Sequence, residues 1–120
     1  MDYSKTCFVV MPDGRKVVGK RQCWVPFLKV PRWVNFDWIY ENIFEPAVAE
    51  TSLPEGGKLV PRRSDKDFFA AVIDMDMYLY LEYSRFTLVD ITGLNPNVFY
   101  ELGIRHRVTS LGVCKLAGSP

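Results

Sequence analysis

Two stretches of this chain are apolar without alternation. TCFVVMP at 6–12 and RFTLVDIT at 85–92 are rich in β-branched and aromatic residues, and both read as strands buried on both faces. Pro12-Asp13-Gly14 stops the first of them in a turn. A different spacing marks NFDWIYENIFEPAVAE, where Phe36, Ile39, Tyr40, Ile43, Phe44, Ala47 and Val48 share one helical face and Asn35 can cap the start. Pro46 sits inside that pattern and should kink or divide the helix. After LPEGG, KLVPRR reads as a short strand and SDKDFF as a polar connection. AAVIDMDMYLYLEYS is mostly helical, NPNVFYELGIRHRV is a helix, and LGVCKLA is a final strand. Residues 13–35 combine basic residues, two prolines and the bulky series Trp24, Val25, Phe27, Leu28, Val30 and Trp33, and read as a structured excursion with a hairpin.

Strands and helices thus alternate along the main path. That order predicts a small doubly wound α/β fold, flavodoxin-like, with a parallel sheet and helices on both faces. A length of 120 residues suits one domain spanning 1–120. In such sheets ligands bind beyond the carboxyl ends of the strands, at the point where strand order reverses. Two strand ends carry unusual residues, Met11-Pro12-Asp13-Gly14 and Asp90-Ile91-Thr92-Gly93, and the flavodoxin-like order would set them side by side.

Composition narrows the function classes. A hydrophobic content of 48% and an aromatic content of 14% support a real core. A net charge of +1 gives no reason to expect bulk binding to nucleic acid or to an anionic membrane. The longest apolar run, residues 68–73, is six long, so no segment is expected to span a bilayer, and no leader is expected at the start. Cys7, Cys23 and Cys114 form no close pair, which favours a reducing, cytoplasmic setting over a disulfide framework. There is no P-loop, no GxGxxG, no GxSxG and no metal-ligand cluster, so neither a resident cofactor nor a metal is expected.

The most informative stretch is DITGLNPNVFYELG, residues 90–103. Asn95 followed by Pro96 reads as an N-cap and a first helical residue. Glu101 is then the sixth helical residue, too far in to act as a capping acid. Asn97 lies four residues before it, on the same side of the helix. Gly103, two residues later, suggests close approach of a backbone or ligand. One reading pairs Glu101 with Arg105 as a surface interaction of about 0.3–0.5 kcal/mol. The flanking Phe99, Tyr100, Leu102 and Ile104 argue against a fully solvated face.

CFVVMPDG, FDWIYENIFEPAVAE, LVPRRSDKDF and FTLVDITGLNPNVFYELGIRH together resemble the bacterial TIR-like and nucleoside 2-deoxyribosyltransferase-like domains, over residues 7–106. The most specific part is DxTxxNPNVFYELGxRH. The resemblance implies a flavodoxin-like fold and action on the N-glycosidic bonds of nucleosides or NAD. It implies that Glu101, in the ELG segment, is the carboxylate that attacks or stabilises the anomeric carbon. Asn95 stands where the transferases commonly carry an acid that protonates the leaving base. Asp90 could substitute, although a strand-end Asp also forms turns. NAD cleavage needs less acid help, because nicotinamide leaves as a neutral group from a cationic ring.

The candidate site is therefore Glu101 and Asn97 for chemistry, with Met11, Pro12, Arg63, Asp90, Thr92 and Asn95 contacting substrate. Arg62 and Arg63 could hold a phosphate or simply end a solvated strand. Asp65 and Asp67 read as helix caps, Asp74 and Asp76 as solvated, and His106 as packing or capping. The segment 24–33 could be a lid, a partner surface or core. The ligand expected is a small nucleotide or nucleoside. Two function classes follow: an enzyme that hydrolyses or transfers at an N-glycosidic bond, or a signalling module that senses a nucleotide or self-associates without turnover. The resemblance also implies homo-oligomers, since some transferases complete their pocket with a neighbouring subunit. After RHR the family would continue with a further strand and often another helix, so the short VTSLGVCKLAGSP reads either as the end of a domain truncated at its C-terminus or as part of a fold that closes by pairing with another copy.

Overall fold

The computed structural model describes residues 2–22, 29–63, 75–107 and 112–116. Cys23, Trp24, Asp65, Asp67 and Asp74 lie outside these residues. A short 3-10 turn, Tyr3–Lys5, leads into strand β1, Thr6–Val10. A hairpin of β2, Arg15–Gln22, and β3, Lys29–Asn35, comes next. Helix α1, Phe36–Ile39, runs through a π-helical stretch, Tyr40–Phe44, into α2, Glu45–Ala49. Strand β4, Val60–Arg63, helix α3, Met75–Tyr83, strand β5, Phe86–Asp90, helix α4, Pro96–His106, and strand β6, Gly112–Leu116, complete the order.

The sheet has four parallel strands in the order β4-β1-β5-β6, the flavodoxin-like arrangement. β1 and β5 are neighbours, with Val10 opposite Val89, so Met11 and Asp90 emerge side by side at the carboxyl edge. Successive side chains of a strand point to opposite faces, and β1 is buried on both. Phe8 and Val10, with Val89 of β5, pack against Met77 and Leu81 of α3 and Val98 and Leu102 of α4. Tyr80 stacks on Phe8, with ring centroids 5.1 Å apart. Cys7, Val9 and Met11 face the other way. Cys7 meets Val48, Leu53 and Leu59, while Val9 and Met11 meet Phe36 and Tyr40. Helices therefore cover both faces, α3 and α4 on one and the α1–α2 unit on the other. Each fully buried apolar side chain in these layers contributes roughly 1.5–3 kcal/mol.

The α1–α2 unit follows from two residues. The Asn35 side chain accepts the Trp38 N–H at 3.1 Å and starts the helix. Pro46 has no N–H for the carbonyl four residues back, and its ring crowds that carbonyl. The chain widens into the π turn just before it, with the Glu45 N–H reaching back to the Tyr40 carbonyl. Pro46 thus divides the helix, and the π stretch keeps its two parts on one face.

The hairpin forms a separate two-stranded antiparallel sheet. Its register shifts between Val17 and Gly19, so Val18 is a bulged residue. Val18 and Val34 pack on the layer formed by Val9, Met11, Phe36 and Tyr40. Trp33 stays exposed, with the Arg15 guanidinium 5.7 Å from its ring centroid. No helix among the described residues is long and apolar enough to cross a membrane.

Candidate functional site at the carboxyl edge of the sheet

At the end of β5, Asp90 is only 4% exposed. Its Oδ1 accepts the Thr92 N–H at 3.0 Å, which bends the chain out of the strand. The Ile91 N–H donates to the Leu116 carbonyl at 2.7 Å and ties this turn to the end of β6. Gly93 follows with φ +80°, and Leu94, 70% exposed, takes the left-handed conformation at φ 55°. A left-handed non-glycine residue stores about 1–3 kcal/mol of strain and persists only where its surroundings hold it. Asn95 then caps α4, its Oδ1 accepting the N–H groups of Asn97 at 2.9 Å and Val98 at 3.3 Å. Asn95 is thus committed to the helix start.

At the end of β1, Met11 and Pro12 are buried. The Pro12 carbonyl accepts from Arg63 Nη2 at 2.9 Å. The same nitrogen lies 2.9 Å from Asp37 Oδ1, and the guanidinium sits 5.1 Å from the centre of the Tyr40 ring. Asp37 Oδ1 also accepts the Gly14 N–H at 3.0 Å. That backbone bond, followed by Arg63, holds the Asp37 carboxyl below the usual carboxylate range, against the opposing effect of burial. Arg63 is therefore not a solvated strand end. It fastens the loop after β1 to the start of α1, which leaves less of it to hold a phosphate. Arg62, its neighbour, is exposed.

A cavity of about 300 Å³ opens between the hairpin, the α1–α2 unit and the carboxyl ends of β5 and β6. Arg32, Val34, Ile39, Phe44, Asp90, Thr92 and Leu116 line it. Four of these side chains are apolar, and Arg32, Asp90 and Thr92 supply the polarity, the usual make-up of a small-ligand site. A larger hollow of about 480 Å³, lined by Tyr3, Ser4, Tyr83 and Arg85, lies at the opposite, amino edge of the sheet. The carboxyl edge at the reversal of strand order is the place where such folds bind ligands, so the smaller cavity is the stronger candidate.

The sequence-predicted site residues divide between the faces. Asp90 and Thr92 line the cavity. Glu101 lies on α4, on the inward stripe Val98, Glu101, Leu102 and Arg105, and is 5% exposed. α4 covers the face of Phe8 and Val10, whereas the cavity opens on the face of Val9 and Met11. Glu101 is also about 9 Å along the helix from its cap, at about 1.5 Å per residue. Asn97 is exposed while Glu101 is buried, so the two do not form a single polar face toward the cavity.

Arg105 is fully buried, so Glu101 and Arg105 are not an exposed surface pair. Its Nη1 donates to the Leu81 carbonyl at 2.9 Å, and its Nη2 to the carbonyls of Gly112 at 3.0 Å and Arg85 at 3.4 Å. Gly103 is exposed, and among the described residues no atom outside its own helix turn and chain neighbours lies within 4 Å of where a Cβ would stand. His106 and Asp76 are exposed. Among the described residues no group of three or more His, Cys, Asp or Glu side chains could hold a metal ion.

Arg32, Val34, Ile39, Phe44 and Leu116 were not among the residues expected at the site. Ile39 and Phe44 carry the signal of the amphipathic helix, which reads equally as core. Arg32 and Val34 alternate with the exposed Trp33 along β3, and that alternation is the only local sign that they face inward. Comparison with family models, with curated proteins and with solved structures finds no match to this chain.

Proposed function

We propose that this chain is a nucleotide- or nucleoside-binding domain whose ligand sits at the carboxyl edge of the parallel sheet. The observation that carries this reading is the cavity bordered by Asp90 and Thr92 at the carboxyl ends of β5 and β6, beside the reversal of strand order between β1 and β5. Its apolar walls suit a planar base, and Asp90 and Thr92 offer polar partners to a sugar. The buried thiol of Cys7, together with the lack of a disulfide framework in the sequence, fits a reducing compartment, and the cytoplasm is the proposed location.

A second reading adds turnover at an N-glycosidic bond, with Glu101 as the carboxylate. The burial of the Glu101 carboxylate on the inward side of α4 supports it. Two observations favour binding without turnover: Glu101 is on α4, which packs on the sheet face opposite the cavity, and does not line that cavity, and Asn95 is occupied as a helix cap. Incubation with NAD and with deoxynucleosides, following release of nicotinamide or free base, separates the readings. Turnover requires product from the wild type and its loss in Glu101→Gln. Calorimetric binding of a nucleotide without product supports the sensing reading. No binding of any nucleotide or nucleoside contradicts both.

A further inference from the structure

We infer that Arg32 is the specificity-determining residue of the cavity and selects a phosphorylated nucleotide over the neutral nucleoside; this rests on the nucleotide reading above. Arg32 is the one cationic side chain among the described residues that line the cavity. Its guanidinium makes no hydrogen bond or ion pair with any other described residue, unlike those of Arg63, Arg85, Arg105 and Arg107, which are all engaged internally. A half-buried guanidinium that lines a cavity, with no partner among the described residues, is suited to a bidentate oxyanion.

Charge distribution points the same way. The chain is almost neutral, with 15 basic and 14 acidic residues, yet residues 14–36 hold six of the basic residues and none of the acidic ones. Arg32 is one of these six, so it belongs to a stretch of sequence richer in positive charge than the rest of the chain. The rest of the lining assigns the remaining parts of the ligand. Asp90 has one oxygen committed to the Thr92 N–H, which leaves the other to accept from a sugar hydroxyl. Val34, Ile39, Phe44 and Leu116 offer an apolar surface to a base. The seating of the hairpin on the body, through Val18 against Gly93, fixes Arg32 relative to Asp90.

The test is calorimetry with the four ribonucleoside 5′-monophosphates and their parent nucleosides, on wild type, Arg32→Gln, Arg32→Lys and the control Arg62→Gln. Expected is at least one monophosphate bound 10-fold or more tighter than its nucleoside. Arg32→Gln should remove that preference while keeping nucleoside affinity, Arg32→Lys should restore part of it, and Arg62→Gln should change neither. All variants should melt with the wild type, because the Arg32 guanidinium makes no hydrogen bond or ion pair among the described residues. Equal affinity for the two ligand forms, or a preference that survives Arg32→Gln, overturns the role of Arg32 and leaves the nucleotide reading standing. Binding of neither form overturns both.

Discussion

Gly93 lies so close to Val18 that a Cβ on it would stand 2.9 Å from Val18 Cγ1 and 3.2 Å from Val18 Cβ. Gly93 also has φ +80°, a conformation that side chains resist. Two independent reasons thus require glycine in the turn after β5. The contact is also where the hairpin rests on the edge of the parallel sheet. Gly93→Ala should destabilise the fold by about 1–3 kcal/mol through overpacking and backbone strain together. Val18→Ala should recover the overpacking part in the double variant and none of the backbone part. Denaturant melts of the four proteins in a double-mutant cycle check this, and strict additivity would contradict the contact.

Arg105 holds together the far end of the molecule. Its guanidinium satisfies carbonyls at the end of α3, the start of β5 and the start of β6. Burial pushes its basicity below the ordinary value for arginine. Arg105→Met should cost about 1–3 kcal/mol, because it leaves the buried bond to the Leu81 carbonyl and the part-buried bonds to Arg85 and Gly112 unmade. Arg105→Lys should recover little, since an ammonium lacks the fork that spans three acceptors. Equilibrium unfolding in urea measures both.

The Asp37 clamp predicts an acid limb. Its carboxyl titrates lower in the folded chain than in the unfolded one, chiefly through the Gly14 N–H and then through Arg63. The resulting stabilisation is complete above the unfolded carboxylate pKa of about 3.9 and is lost as pH falls through the lowered folded value. The side chain is about half exposed, so the effect should be no more than about 1 kcal/mol. Asp37→Asn should flatten this part of the stability profile between pH 5 and 2 and leave the profile near pH 7 parallel to wild type. Melting temperature against pH is the measurement.

Cys7 gives a limb at the other end. Burial raises its thiol from 9.0 to about 11. A raised folded pKa means stability that is whole below pH 9 and lost as pH rises toward 11, on the order of 2–3 kcal/mol. Cys7→Ala should remove this alkaline loss. In native protein at pH 8, alkylation followed by peptide mapping should mark the exposed Cys114 well before Cys7.

The fold was legible because its signals are local and strong. The unbroken run of β1, the Asn95-Pro96 helix start and the Pro46 break each have one dominant physical cause, and each acts where the pattern places it. Facing was harder to read. Arg32 and Val34 alternate with the exposed Trp33 on β3, but alternation alone does not tell which of the two sets turns toward the body of the protein. The sequence offers Arg63 as a substrate contact or a solvated strand end because nothing nearby in sequence announces Asp37 or Tyr40, which reach it only through the tertiary fold. Glu101 stood out correctly as a carboxylate on an apolar stripe, but spacing along one helix does not tell which face of the sheet that stripe covers.

The central claim, a nucleotide held at the carboxyl edge, is tested most directly by titrating isotope-labelled protein with a nucleoside 5′-monophosphate and following backbone amide shifts. The account expects saturable shifts at Val34, Phe44, Asp90, Thr92 and Leu116, around the cavity. Shifts confined to Tyr3, Ser4, Tyr83 and Arg85 at the amino edge, or none at millimolar ligand, would contradict it.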